Sequence, residues 1–286
     1  MTYSTERRTG TTDSREITDM LEYSRKTILA LIIAVAAIWI VFLGYRWKVR
    51  HSSAELSLSA EYTSINLKAS RSDIIIERGS GNNIVIRGSR ISSFSGYPEG
   101  SAITVTPKEH RYAKGIITIQ LPYSNLNAIA ISASAGDIDA SGINAESLSL
   151  SVNAGNIKIA GAAAESIFIS SKAGDIEMLD SSCNDLKLTT ATGDIEAIGV
   201  DCSSAAVKAT TGDIYLEPDH IKDIDIEVTT GDAELRLNEE PGEIAVSTSL
   251  GDISCNGESI ASGRILGSGT ASGSIKSRTG DISVYY

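Results

Sequence analysis

Basic charge, cysteine, histidine and aromatic rings are all scarce in this 286-residue chain, and each scarcity excludes something. Lys and Arg number 25 against 36 Asp and Glu, a formal net charge of −11. A nucleic-acid binder needs a basic face, so nucleic acid is excluded as a partner. Three cysteines are too few for a disulfide scaffold, and no Cys/His cluster has zinc-site spacing. His51, His110 and His220 are scattered, and no G-x-S-x-G elbow stands between a strand and a helix. No catalytic residue is expected, and the chain reads as a non-enzyme. A carbohydrate-active enzyme is the last of three functional readings, because it needs clustered carboxylates with a placed base in a cleft.

One long apolar run is present. Thr27 to Gly44 reads TILALIIAVAAIWIVFLG and holds no charge. At about 1.5 Å per residue, a run of this length just spans a bilayer. Arg25 and Lys26 flank one end; Arg46, Lys48 and Arg50 flank the other, with Trp39, Tyr45 and Trp47 towards the interface. Further apolar residues follow Ala34-Val35-Ala36, which argues for an uncleaved signal anchor over a cleaved peptide. Five Lys/Arg precede the run and three follow it closely, which favours a cytoplasmic N-terminus. The expected layout is a cytoplasmic tail over 1–26, a transmembrane helix over 27–44 and a linker over 45–54. An irregular β region over 55–128 follows, serving as start and cap of a regular solenoid over 129–286. Residues 1–50 hold 8 basic and 5 acidic side chains, leaving 17 basic against 31 acidic in the remainder. The part beyond the anchor is therefore strongly acidic.

A repeat dominates the second half. A Gly-Asp or Gly-Asn pair stands at Gly136, Gly155, Gly174, Gly193, Gly212 and Gly231, a constant step, then at Gly251 and Gly280 after longer ones. A fixed period of this kind signals a solenoid. Apolar residues keep register: Leu148 and Leu150 before the turn recur as Ile167 and Ile169, then Leu186 and Leu188. After the turn, Ile157 and Ile159 recur as Ile176 and Met178. Alternation by two is strand period. Each coil is read as strand, Gly-Asp turn, strand and small-residue arc, giving an all-β, single-stranded parallel β-helix of about 19 residues per coil. Glycine supplies positive φ at the turn, and Asp accepts turn amides.

Upstream, ELSLS, INLKA, DIIIERG, NIVIRG, AITVT and GIITIQLP read as strands. Ile129 and Ile131 lie one repeat before Leu148 and Leu150, which joins this region to the lattice. Gly273, Ile275 and Ser277 take the same positions in the last coil, so the ten extra residues fall in the arc between Asn256 and Ser272. Tyr285-Tyr286 follows the last core strand without a polar cap, which predicts an open C-terminal edge.

The run ITIQLPYSNLNAIAISASAGDI (117–138) and the SGDI-like units after it resemble the bacterial "putative adhesin" family of β-strand (Gly-Asp-Ile) repeats, related to adhesin head domains with Gly-Ile-Asn-type repeats. The resemblance covers about residues 55–286. It implies a right-handed parallel β-helix, often on a membrane anchor and often associated with envelope-stress genes, and it offers no catalytic residue. Asn156, Ala233 and the ten-residue insertion depart from the pattern.

The repeat stacks carboxylates. Asp175, Asp194, Asp213 and Asp232 form one row, with Asp139, Glu177, Glu196 and Glu234 beside it. Neighbours about 4.8 Å apart repel by about 1 kcal/mol even in water. Turn capping with solvent screening is the simpler offset; a Ca²⁺ face using Asp175, Glu177, Asp194, Glu196, Asp213, Asp232 and Glu234 is the alternative. No other cofactor is expected. Cys183 and Cys202, one repeat apart, share one arc position in adjacent coils, within disulfide range or as two small buried thiols. Cys255 replaces a core aliphatic and is expected to be buried and free. The functional expectation is a membrane-anchored, extracytoplasmic binding module of adhesin-like character, its partner an envelope protein or a glycan. The second reading is a structural protein that self-associates end to end, or a regulator of envelope-stress signalling.

Overall fold

The computed structural model describes residues 35, 37–46, 48–49, 52–111 and 113–286. The chain divides into two compact units, Met1–Arg50 and His51–Tyr286. In the first, residues 37–46 are helical. Ile38, Trp39, Ile40, Val41, Phe42 and Leu43 are all exposed, so this helix is apolar around its circumference. The expected tail over 1–26 and residues 27–34 and 36 of the expected membrane helix lie outside the described residues. Among the described residues no helix is long and apolar enough to cross a membrane.

The second unit is all-β and solenoid-like. In one repeat, Asn144–Ala154 forms a long strand. A turn at Gly155-Asn156 leads to the short strand Ile157–Ala160, and a bend at 161–162 leads to the next long strand, Ala163–Ala173. The two strand types stack in parallel on their equivalents. Leu148 and Leu150 oppose Ile167 and Ile169, and Ile157 and Ile159 oppose Ile176 and Met178. Every partner lies one repeat further along the chain, so each inward row is continuous. Leu148 and Ile159 are fully enclosed, and such burial contributes about 1.5–3 kcal/mol per side chain. The expected arc is shorter than its sequence suggested. The long strands begin inside it, and Ile195–Thr211 runs through it as one strand.

Each turn of chain (a long strand, a corner and a short strand) can be called a rung. The six strands expected upstream all form, with Ile91–Glu99 added. They are more regular than expected. Ser64–Ala69 and Asp73–Arg78 make a full rung: Ile65 and Leu67 oppose Ile129 and Ile131, and Ile74 opposes Ile138. The strand Ser53–Leu58 also begins inside the segment expected to be linker.

This rung is not the terminal one. Its other side pairs in parallel with Ala102–Glu109 and Ile116–Leu121, which come later in the chain. Antiparallel strands close that end: Ile91–Glu99 on Ala102–Glu109, Ile84–Ser89 on Ile116–Leu121, and Ser53–Leu58 on Ile84–Ser89.

The far end repeats the device, which overturns the expected open C-terminal edge. Ser272–Thr279 lies between Asp223–Thr230 and Glu243–Leu250, parallel to both. Ile282–Tyr285 lies between Ala233–Arg236 and Ile253–Cys255. The rung nearest the C-terminus is thus interior, and the earlier 243–255 rung is outermost. The ten-residue insertion is not an arc loop. It forms Glu258–Ile260 and Gly263–Leu266, which pair antiparallel with Ile253–Cys255 and Glu243–Val246. Both strands of the outermost rung are covered over those residues. The last coil assumed to be uncovered for end-to-end assembly is therefore capped over Glu243–Val246 and Ile253–Cys255, while the cap does not reach the exposed Leu250.

Candidate functional site

The Gly-Asp corners make a continuous ladder. All eight turn glycines, Gly136, Gly155, Gly174, Gly193, Gly212, Gly231, Gly251 and Gly280, have positive φ. Gly174 shows why no other residue fits: at φ +144° an added Cβ would lie 2.0 Å from the Gly155 carbonyl oxygen. The stacked backbones are in contact, and each Asp bonds the next corner. The Asn156 amide donates to Asp137 Oδ1 and the Asp175 amide to Asn156 Oδ1, both at 2.9 Å. Asp194, Asp213 and Asp232 continue the series at 2.9, 2.8 and 2.8 Å. Asp281 then donates to Asp232, and Asp252 to Asp281, both at 2.7 Å. The ladder follows space rather than chain order. It begins at Asp73, which accepts from the Asp137 amide at 2.9 Å. Lys114 Nζ sits 2.6 Å from Asp73, and that bond raises the lysine's pKa.

This ladder supplies the offset that stacked carboxylates need, because one oxygen of each is held by an amide. The row beside it is interrupted. Lys158 stands between Asp139 and Glu177 and bonds Glu177 at 2.6 Å. Tyr215 separates Glu196 from Glu234. Its hydroxyl donates to Glu217, which pushes the phenol up to about 12. Of the proposed Ca²⁺ ligands only Glu177 and Glu196 oppose each other in that second row. Among the described residues no group of three or more His, Cys, Asp or Glu side chains is placed to hold a metal ion.

A second layer behind the glycines was not foreseen. Ser171 and Thr190 occupy core positions, and their hydroxyls donate to the Gly155 and Gly174 carbonyls at 3.1 Å. A small polar residue at an inward position was the available signal.

One of several concave features of the unit lies on the arc side. A groove of about 520 Å³ has Ala164, Cys183, Cys202 and Ile221 among its lining, one from each successive rung. Asp201, Asp219, His220 and Lys222 add charge, and His220 Nδ1 lies 4.0 Å from Asp201 Oδ2. One end is bounded by Leu237–Glu240 and Thr270–Ala271. These segments belong to the crossings by which the chain leaves one rung, skips a place and later returns. The crossings touch backbone to backbone. The Gly242 amide donates to the Ala271 carbonyl at 2.7 Å, and the Gly267 amide to the Gly242 carbonyl at 3.0 Å. At Gly269 an added Cβ would lie 1.7 Å from the Glu240 carbonyl oxygen.

Cys183 and Cys202 are direct partners across the parallel pair, as their spacing predicted. Both are free, Cys183 half-buried and Cys202 buried. Cys255 is also free but only half-buried, contrary to expectation. It lies in the outermost rung, where its partners are Val284 and Glu258 and its thiol meets the Tyr286 hydroxyl. His110 Nε2 bonds Ser52 Oγ at 2.9 Å, and His51 lies outside the described residues.

The chain belongs to the Toastrack DUF4097 family, whose model matches residues 62–285. Among solved structures it is similar to a protein from Bacteroides fragilis NCTC 9343 described as a "putative adhesin". The two share 17% identity over 82% of this chain and 97% of that one, with a TM-score of 0.52. A second "putative adhesin", from Parabacteroides merdae ATCC 43184, shares 12% identity over 82% and 95%, with a TM-score of 0.50. At these identities the likeness is one of fold. No curated protein matches the chain in sequence.

Proposed function

We propose that this chain is a single-pass membrane protein that displays a right-handed β-helix outside the cytoplasm and uses the arc-side groove to bind an envelope protein or glycan, without catalysis. The observation that carries the reading is the groove itself. It combines an apolar floor with a charged rim and is walled by crossings whose glycines permit backbone contact. Sites of this make-up recognise ligands. The adhesin label of the two solved relatives points the same way. The charge-free run of 27–44 and the outward-facing apolar side chains of its residues 38–43 favour an anchor, and the Lys/Arg excess before it favours a cytoplasmic N-terminus.

A photo-crosslinking residue at Asn184 or Asn238, both in the groove, should yield a discrete adduct in intact cells, and one at Ser149 should not. Equal labelling from both faces would remove the groove from the proposal. Release of the protein from membranes by carbonate, without detergent, would remove the anchor.

A further inference from the structure

The groove floor contains two thiols that the binding role does not use. Cys183 and Cys202 oppose each other directly, so their Cα atoms take the parallel-strand spacing of about 4.8 Å, within the range a disulfide bridges. A flanking bond fixes that spacing: the Asp201 amide donates to the Ser181 carbonyl at 3.0 Å. The next rungs place Ala164 and Ile221 at the equivalent position, so each thiol has one sulfur neighbour in its row. Cys255 is in the outermost rung and does not line the groove.

The two thiols differ. Cys202 is 4% exposed, whereas Cys183 is reachable from the groove. Their hydrogen bond holds the Cys183 thiol below its ordinary pKa and, together with burial, pushes Cys202 above it. Burial, then Asp185 and Asp201, oppose ionisation at Cys183, each less strongly than that bond. The sulfur that a small disulfide entering the groove meets first is therefore that of Cys183.

We propose that Cys183 and Cys202 form a reversible dithiol–disulfide couple that staples two adjacent rungs across the groove floor, with Cys183 as the attacking and Cys202 as the resolving thiol. The oxidant is a low-molecular-weight disulfide that enters by the groove. Cys183 thiolate attacks one of its sulfurs; that S–S bond breaks and one small thiolate leaves and takes up a proton. Cys202, losing its proton to water, then attacks Cys183 sulfur in the mixed disulfide and displaces the second small thiolate, which is protonated in turn. The protein loses two electrons and two protons, and one small disulfide becomes two small thiols. The inference does not depend on the groove binding a partner.

The test uses the full chain carrying Cys255→Ser, equilibrated with oxidised and reduced glutathione, then denatured and alkylated for mass spectrometry. Both remaining thiols should disappear together as the mixture becomes oxidising. The protein should lose two hydrogens, retain no glutathione and stay monomeric. With Cys202→Ser added, Cys183 should instead keep one glutathione. With Cys183→Ser added, Cys202 should react at least about tenfold more slowly. A stable glutathione adduct on the two-cysteine protein, a disulfide-linked dimer, or two thiols that stay alkylatable throughout would each overturn the proposal. If Cys183→Ser does not fold, the two-cysteine protein alone decides.

Discussion

Asn156 shows what the corner residue has to provide. It stands in the ladder between Asp137 and Asp175 and accepts the next amide at the same 2.9 Å as its charged neighbours. The requirement is an oxygen at the right place, and the charge adds repulsion along the row. Asp213→Asn should therefore leave stability unchanged or slightly raised. Asp213→Ala strands the Asp232 amide, which now donates at 2.8 Å, and should cost about 1 kcal/mol. Urea denaturation of both variants checks this; equal losses would mean that the carboxylate charge, not its oxygen, supports the corner.

At the level of elements, the antiparallel caps decide whether the stack stops. Gly263–Leu266 covers Glu243–Val246, and its Ile265 is 5% exposed against Ile244. Ile265→Asp should detach this strand and present the bare edge beneath it, an association hazard. Light scattering should then show larger, concentration-dependent oligomers than the parent forms; a variant that matches the parent would show that the cap is dispensable.

Much of this architecture was legible in the sequence. Parallel stacking of equal rungs demands equal chain lengths, so the constant step and the inward rows of Leu148 and Ile157 could be read directly. The pairing of Cys183 with Cys202 followed from the same step. What stayed hidden was which rungs are neighbours. Ile275 has the same strand position whether it opposes Ile226 or Val246, and in the structure it opposes both. Register specifies height along a strand and says nothing of order in the stack. The rung at 64–78 was missed because Ser72 precedes Asp73 where the repeat has glycine. The groove was missed because its end wall comes from the crossings that the exchange of order creates.

For the molecule as a whole, charge is the opposing term. The chain beyond residue 50 holds 31 acidic and 17 basic side chains, and several basic ones are already engaged across rungs, as Lys208 is with Glu227 at 2.8 Å. Self-repulsion of this kind is screened within about 10 Å at 0.1 M salt and within about 30 Å at 0.01 M. Thermal melts should therefore shift upward between roughly 10 mM and roughly 100 mM NaCl. A downward shift would show that the cross-rung ion pairs outweigh the net charge.

The interior place of residues 272–285 also bears on how the molecule is made. Rungs 223–236 and 243–255 leave the ribosome first, yet they meet only through strands that have not been synthesised. Without those strands the native stack would have a gap one rung wide between 223–236 and 243–255. Growth cannot proceed rung by rung to the end; the final stretch must slot in like a keystone. A chain stopped after residue 271 would not be a shorter solenoid but one lacking an inner course, with two edges open towards each other.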